Sequence, residues 1–209
     1  MHGEGNSNLK CVIFDMDDTL VENAIPFSYV REGIKKYLLD IGIDADSLWD
    51  AQQPTYENVL NIANLYPALR EKILGRFREL EIERARKSKL KDGALQVLNE
   101  LKIKGYKIAL ITRNCDDAVK IALGKIAEMF DLILTRDDCE YLKPDARQIM
   151  KGLAILGVKP EECICVGDYD YDIIAARKCG CIAVRLGEGF GDFVIKDLRE
   201  LLDILDGLR

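Results

Sequence analysis

The chain has 209 residues, 48% of them hydrophobic, enough for one ordinary α/β domain with a modest insertion and too apolar for wholesale disorder. A net charge of -6 argues against the broad basic face of a nucleic-acid binder, yet it is compatible with a small phosphorylated substrate held by a metal and one or two local cations. The single histidine, His2, lies in the polar stretch Met1–Asn8, which reads as a tail. Ser-His-Asp, Cys-His and phosphohistidine chemistry and most zinc sites are therefore disfavoured, and carboxylates, lysine and a hard metal are the groups left to run a reaction.

In chain order, the first apolar run is Leu9–Phe14, predicted to be a strand. It is too short for a signal-peptide core or a membrane span, so no targeting segment and no membrane partner are expected. Seven cysteines, an odd number without a secretory signal, suggest a reduced, cytoplasmic protein. From Val21 to Ser88 no strand pattern stands out. Phe27, Val30, Ile34, Leu38 and Ile41 follow helical spacing, and Pro67–Lys87 reads as one long charged helix containing Ile73 and Phe77. This is too much chain for a simple crossover. Residues 21–88 are thus expected to be a helical insert with hinges near Leu20–Ala24 and Arg86–Asp92, the alternative being an enlarged crossover lying flat on the sheet.

Beyond the insert, apolar runs at Tyr106–Ile111, Leu132–Leu134, Cys163–Val166 and Ile182–Leu186 alternate with helical patterns at Ala94–Lys104, Asp116–Met129, Asp145–Leu156 and Asp170–Lys178. The runs are continuously hydrophobic rather than alternating, as in parallel strands covered on both faces. The expected fold is α/β, a doubly wound parallel sheet formed by residues 1–20 and 89–209.

Polar clusters follow three of these strands directly: Asp15-Met16-Asp17, Thr112-Arg113-Asn114 and Gly167-Asp168. Open parallel sheets bind ligands at the carboxyl ends of their strands, so the three clusters should converge. One carboxylate of the Asp15/Asp17 pair can attack phosphorus while the other donates a proton to the leaving group. Aspartate ordinarily titrates near about 3.9, so the proton donor needs burial or a neighbouring negative charge. Taken alone, the pair could equally cap a turn. Asp168 and Asp15 suit magnesium, which takes a few carboxylate oxygens and keeps water. The alternating acids Asp168, Asp170 and Asp172 do not make a calcium loop, because Ile173 and Cys179 stand where glycine and a bidentate glutamate are required. Thr112 offers a hydroxyl beside the N–H groups that open a helix, and Lys143, before Pro144, offers a cation for phosphoryl charge. Lys143 also fits a surface lysine ahead of a helix-starting proline.

Together Asp15-Met16-Asp17-Asp18-Thr19, Thr112, Lys143-Pro144 and Gly167-Asp168 with Asp172 resemble, in order, the four motifs of the haloacid dehalogenase-like superfamily. The resemblance implies Asp15 as nucleophile and magnesium ligand, and Asp17 as general acid and then base, with its backbone carbonyl on the metal. It implies Thr112, Arg113, Asn114 and Lys143 around the phosphoryl group, Lys143 also steadying Asp15. Asp168 would ligate the metal, with Asp172 behind it. The insert would be a small C1-type cap that closes over the site and carries much of the substrate choice. Asp17 favours phosphate esters, since dehalogenases of this superfamily lack a carboxylate there, phosphonatases place a small residue and P-type ATPases place threonine. The nearest branch is the phosphoglycolate phosphatase-like one, with two departures: Tyr169 where a small serine is common, and Arg113 between Thr112 and Asn114.

The expected activity is magnesium-dependent hydrolysis of a small phosphomonoester through a phosphoaspartyl intermediate, by a monomer or homodimer. A phosphomutase of the same architecture and a non-catalytic phosphate-binding module are the alternatives. Cys163-Ile164-Cys165 and Cys179-Gly180-Cys181 lack the two-residue gap of zinc knuckles, and their place in and beside strands favours packed thiols. Cys115, beside the second cluster, is a candidate for oxidation.

Overall fold

The computed structural model describes residues Leu9–Leu208, so the tail read over Met1–Asn8 lies outside the described residues. The chain divides into two compact units, one comprising the described residues of Met1–Glu22 and Lys89–Arg209, the other Asn23–Ser88.

Strand β1 (Cys11–Phe14) opens the first unit, and β2 (Val21–Asn23) leads out of it. The second unit holds α1 (Phe27–Asp40), α2 (Ala45–Leu48), α3 (Thr55–Leu65) and α4 (Arg70–Ala85). The chain returns through β3 (Ser88–Leu90). The first unit then continues with α5 (Ala94–Ile103), β4 (Lys107–Ile111), α6 (Asp116–Leu123), β5 (Leu132–Leu134), α7 (Arg147–Leu156), β6 (Cys163–Gly167), α8 (Asp170–Cys179), β7 (Ile182–Leu186), β8 (Phe193–Ile195) and α9 (Glu200–Gly207).

Six strands form one sheet in the order β5-β4-β1-β6-β7-β8, every pair parallel. Alternate residues feed opposite faces, as the strand period of two demands. Val12, Phe14, Ile108, Leu110, Ile164, Val166 and Val184 pack with Val97 and Leu101 of α5, Val119 of α6 and Leu201 of α9. Cys11, Ile13, Ala109, Ile111, Cys163, Cys165 and Ala183 pack with Ile149 and Leu153 of α7 and Ile173 and Ala176 of α8. This is the doubly wound parallel sheet expected from the apolar runs. Strand β1 is central: the chain builds outward to β4 and β5 on one side, then returns to add β6, β7 and β8 on the other. The switch of direction falls beside the carboxyl end of β1, where a ligand crevice forms in such sheets.

The second unit has its own core of Val30, Ile34, Leu38, Val59, Ile62, Ile73, Phe77 and Leu80. Helices α1 and α4 approach closely because Gly33 faces Leu80, whose Cδ2 would lie 2.8 Å from a β-carbon at that position.

Several boundaries differ from the sequence reading. The region read as strand-free begins and ends in the short strands β2 and β3, which form a separate two-stranded sheet. The helix read over Pro67–Lys87 starts as a 3-10 turn at Pro67–Leu69. The helix read over Asp116–Met129 stops at Leu123, because Gly124 at φ 50° leaves the helical region, and a 3-10 segment follows. Strand β8 adds to the strands legible in the sequence; it has three residues, follows a glycine-rich turn and exposes Val194, so its pattern is faint.

Candidate active site

The carboxyl end of β1 is held directly against β6, the Asp15 N–H donating to the Val166 carbonyl at 2.9 Å. The chain then turns sharply. Leu20 and Val21 both donate to the Met16 carbonyl, and Asp18 adopts φ 54°, a left-handed conformation that aspartate tolerates better than most residues. Met16 and Leu20 are buried beneath the turn, which leaves the acidic side chains above it.

Lys143 is the centre of the arrangement. It is only 3% exposed, and its Nζ lies 2.7 Å from Asp15 Oδ1 and 2.6 Å from Asp172 Oδ1. Nζ also donates to the Ile111 carbonyl at 2.6 Å, at the carboxyl end of β4. Burial alone would discharge the ammonium, but the carboxylates of Asp15 and Asp172 outweigh it and hold its pKa above the ordinary lysine value.

Asp172 stands in the first turn of α8, where its Oδ2 accepts the Tyr169 N–H at 3.1 Å, an N-terminal cap that fixes the carboxylate toward Lys143. Gly167 makes room for it. A β-carbon there would sit 2.3 Å from Asp172 Cβ, a separation no side chain can accept. Asp168 is fixed by the buried Thr19, whose hydroxyl donates to Asp168 Oδ1 at 3.0 Å.

Asp15, Asp168 and Asp172 bring carboxylate oxygens within 4.8 Å of one another. Burial pushes the Asp15 carboxyl well above the ordinary range; Lys143 opposes this, while Asp172, Asp168 and Asp17 reinforce it. Asp168 rises to about 6, through burial and then the charge of Asp172. A half-buried, oxygen-only donor set with crowded negative charge fits a hard divalent cation such as magnesium.

The second cluster splits its duties. Asn114 Nδ2 donates to Asp17 Oδ2 at 2.9 Å, and the Asn114 N–H donates to Thr112 Oγ1 at 3.1 Å. Asn114 therefore orients Asp17. Arg113 donates to the Lys143 carbonyl and lies 5.3 Å from the Tyr171 ring centroid, contacts that brace the Lys143 loop. Tyr171 meets the exposed Tyr169 edge-on at 4.9 Å.

All eight residues singled out in the sequence thus belong to the carboxyl end of one sheet or to the loops and helix starts beside it. Three features escaped that reading. Gln148 of α7 is 1% exposed; its Oε1 accepts the Lys143 N–H at 3.0 Å and its Nε2 donates to the Thr112 carbonyl at 2.9 Å. It joins two of the polar clusters. Its signal was present: Gln148, Ile149, Gly152, Leu153 and Leu156 form the buried stripe of α7, so a polar residue stood on an apolar face. Thr19, within the first motif, holds Asp168, and Asp172 binds Lys143 directly rather than only standing behind the expected metal ligands. Cys115 is fully buried, which works against easy oxidation.

Residues 12–185 match the family described as haloacid dehalogenase-like hydrolase. A pyrophosphatase PpaX from Bacillus cereus is 32% identical over 126 residues, 54% of this chain and 58% of that protein, so the chain spans little more than half the length of the curated relative it matches. A predicted phosphoglycolate phosphatase from Haemophilus somnus shares the fold with TM-score 0.72 and 21% identity, over 96% of this chain and 99% of that one. CbbY from Rhodobacter sphaeroides, solved in complex with phosphate, gives TM-score 0.70 and 20% identity, over 92% of this chain and 96% of that one.

Proposed function

The chain belongs to the haloacid dehalogenase-like hydrolase family, and from that premise we propose that it is a magnesium-dependent phosphatase acting on a small phosphomonoester through a phosphoaspartyl intermediate on Asp15. The observation that carries the proposal is the buried Lys143 ammonium between Asp15 and Asp172, 2.7 and 2.6 Å away. Its charge opposes the burial that pushes the Asp15 carboxyl toward the neutral acid, and so favours the carboxylate that the attack needs. A free Asp15 oxygen attacks phosphorus as the ester P–O bond breaks, and the departing oxygen takes a proton from Asp17. Water then attacks the acyl phosphate, gives a proton to Asp17 and releases inorganic phosphate and the Asp15 carboxylate. Asn114 holds Asp17 in place for both transfers. Thr112 and Lys143 are the groups proposed to receive the phosphoryl oxygens. Asp15, Asp168 and the Asp17 carbonyl would hold magnesium, with Asp172 behind them; the ion supplies charge neutralisation that lets an anionic carboxylate meet an anionic phosphate.

Residues 21–88 are proposed as the cap that selects the substrate, and the phosphoglycolate phosphatase-like branch as the setting. The test is phosphate release from a panel of metabolite phosphomonoesters, with pyrophosphate included because of the name of the Bacillus relative. Turnover with magnesium that falls at least about a thousandfold in Asp15→Asn is expected, since removing a nucleophile removes the whole covalent route. Folded, magnesium-loaded protein that released phosphate from no member of the panel would overturn the proposal.

A further inference from the structure

The cysteines that spacing set aside as packed thiols acquire a different aspect in the sheet. Register pairs Cys11 with Cys163 across β1 and β6. It pairs Ile164 with Ile182 across β6 and β7, which sets Cys163 beside Cys181 just ahead of β7. Cys165, two residues along β6, points to the same face as Cys163. The Sγ atoms of Cys163, Cys165 and Cys181 lie within 4.8 Å of one another. All three residues are buried against the apolar side chains between the sheet and helices α7 and α8, including Ile13, Ile173 and Ala176.

We propose that Cys163, Cys165 and Cys181 form a binding site for a thiophilic monovalent ion of the copper(I) class, separate from the carboxylate site. The donors are all sulfur, which selects soft cations over magnesium, calcium or manganese. Three of them lie within 4.8 Å of one another, and Cys11, beside Cys163, stands outside that set, which is one donor short of a closed structural zinc site. Metal–sulfur bonds of about 2.3 Å in a trigonal arrangement put the sulfurs about 4 Å apart, so a contraction of under about 1 Å from the observed spacing closes the site. The wall is made of apolar side chains, and the Ile164 carbonyl, which accepts from Cys163 Sγ at 3.5 Å, is an oxygen beside the group. Each thiol that becomes a ligand releases its proton to solvent, and no electron is transferred. Cys179, partly exposed at the end of α8 and two residues before Cys181, connects the group to the surface.

The reduced 209-residue chain is titrated anaerobically with copper(I) against a competing chelator, following sulfur-to-copper charge-transfer absorbance. Thiol alkylation mapped by mass spectrometry is read in parallel. One equivalent bound per chain, with Cys163, Cys165 and Cys181 protected, supports the site; Cys181→Ala should abolish that uptake and Cys139→Ala should leave it intact. Absence of stoichiometric uptake, or protection centred on Cys115 or Cys139, would sink it. If Cys181→Ala does not fold, the protection map of the unmodified protein decides the question alone.

Discussion

Lys143 is a residue whose neighbours give it its chemistry. In isolation it is one lysine before a proline; in place, its backbone and side chain are each committed by residues far away in sequence. Gln148 takes its N–H, Arg113 its carbonyl, and Asp15, Asp172 and the Ile111 carbonyl its ammonium. Gln148→Met keeps the length and apolar bulk of the side chain but strands a buried N–H and a buried carbonyl. The expected loss is about 1–3 kcal/mol of stability. A fall in kcat of about tenfold, equivalent to about 1.4 kcal/mol in the transition state, should accompany it with KM little changed. A variant that loses stability but keeps full kcat would reduce Gln148 to a packing role. Gly167→Ala tests the other side of the site. Its new β-carbon must displace Asp172, so an overpacking cost of about 1–3 kcal/mol is expected, together with loss of turnover; unaltered phosphate release would show that the position of Asp172 is unimportant.

At the scale of elements, the strands were the most legible part of the chain. Runs such as Cys11–Phe14 and Cys163–Gly167 are buried at every residue, and a strand buried on both faces advertises itself by unbroken hydrophobicity. What escaped was short or shaped by its surroundings. The three-residue strands β2, β3 and β8 form because a partner edge is available, and their own residues do not announce it, although the equally short β5 is legible as an apolar run. Helix α6 was read too long because its apolar period runs on past Gly124, while the backbone does not. In the helical unit, Ile34, Ile73 and Phe77 are buried in a common core. Phe77→Ala should cost about 3–5 kcal/mol, read by urea unfolding with the fluorescence of Trp49, the only tryptophan and a member of that cluster's margin. A loss below about 1 kcal/mol would mean that this core relaxes around the cavity.

For the molecule as a whole, the fold and the proposed chemistry rest on different interactions. Apolar layers on both faces of the six-stranded sheet, and a separate apolar core in the helical unit, hold the chain together. The acidic cluster contributes charge repulsion instead. Removing magnesium with a chelator should therefore abolish phosphate release and leave far-ultraviolet circular dichroism unchanged, and adding magnesium back should restore turnover. Collapse of the secondary structure on chelation would make the metal a folding element. Among the described residues no helix is long and apolar enough to cross a membrane.

The sequence by itself determined the sheet and its parallel sense, and led to the expectation of a helical insert and of Asp15, Thr112, Lys143 and Asp168 converging. These follow from local period and from the position of polar residues directly after apolar strands, and both are properties of neighbours in the chain. Only the tertiary structure decided that Gln148 bridges Lys143 and Thr112, that Thr19 holds Asp168, that Gly167 exists to admit Asp172, and that three thiols from β6 and the start of β7 share one face. Those are contacts between residues distant along the chain, and hydrogen bonds and steric exclusion act over a few ångströms of space whatever the separation in sequence.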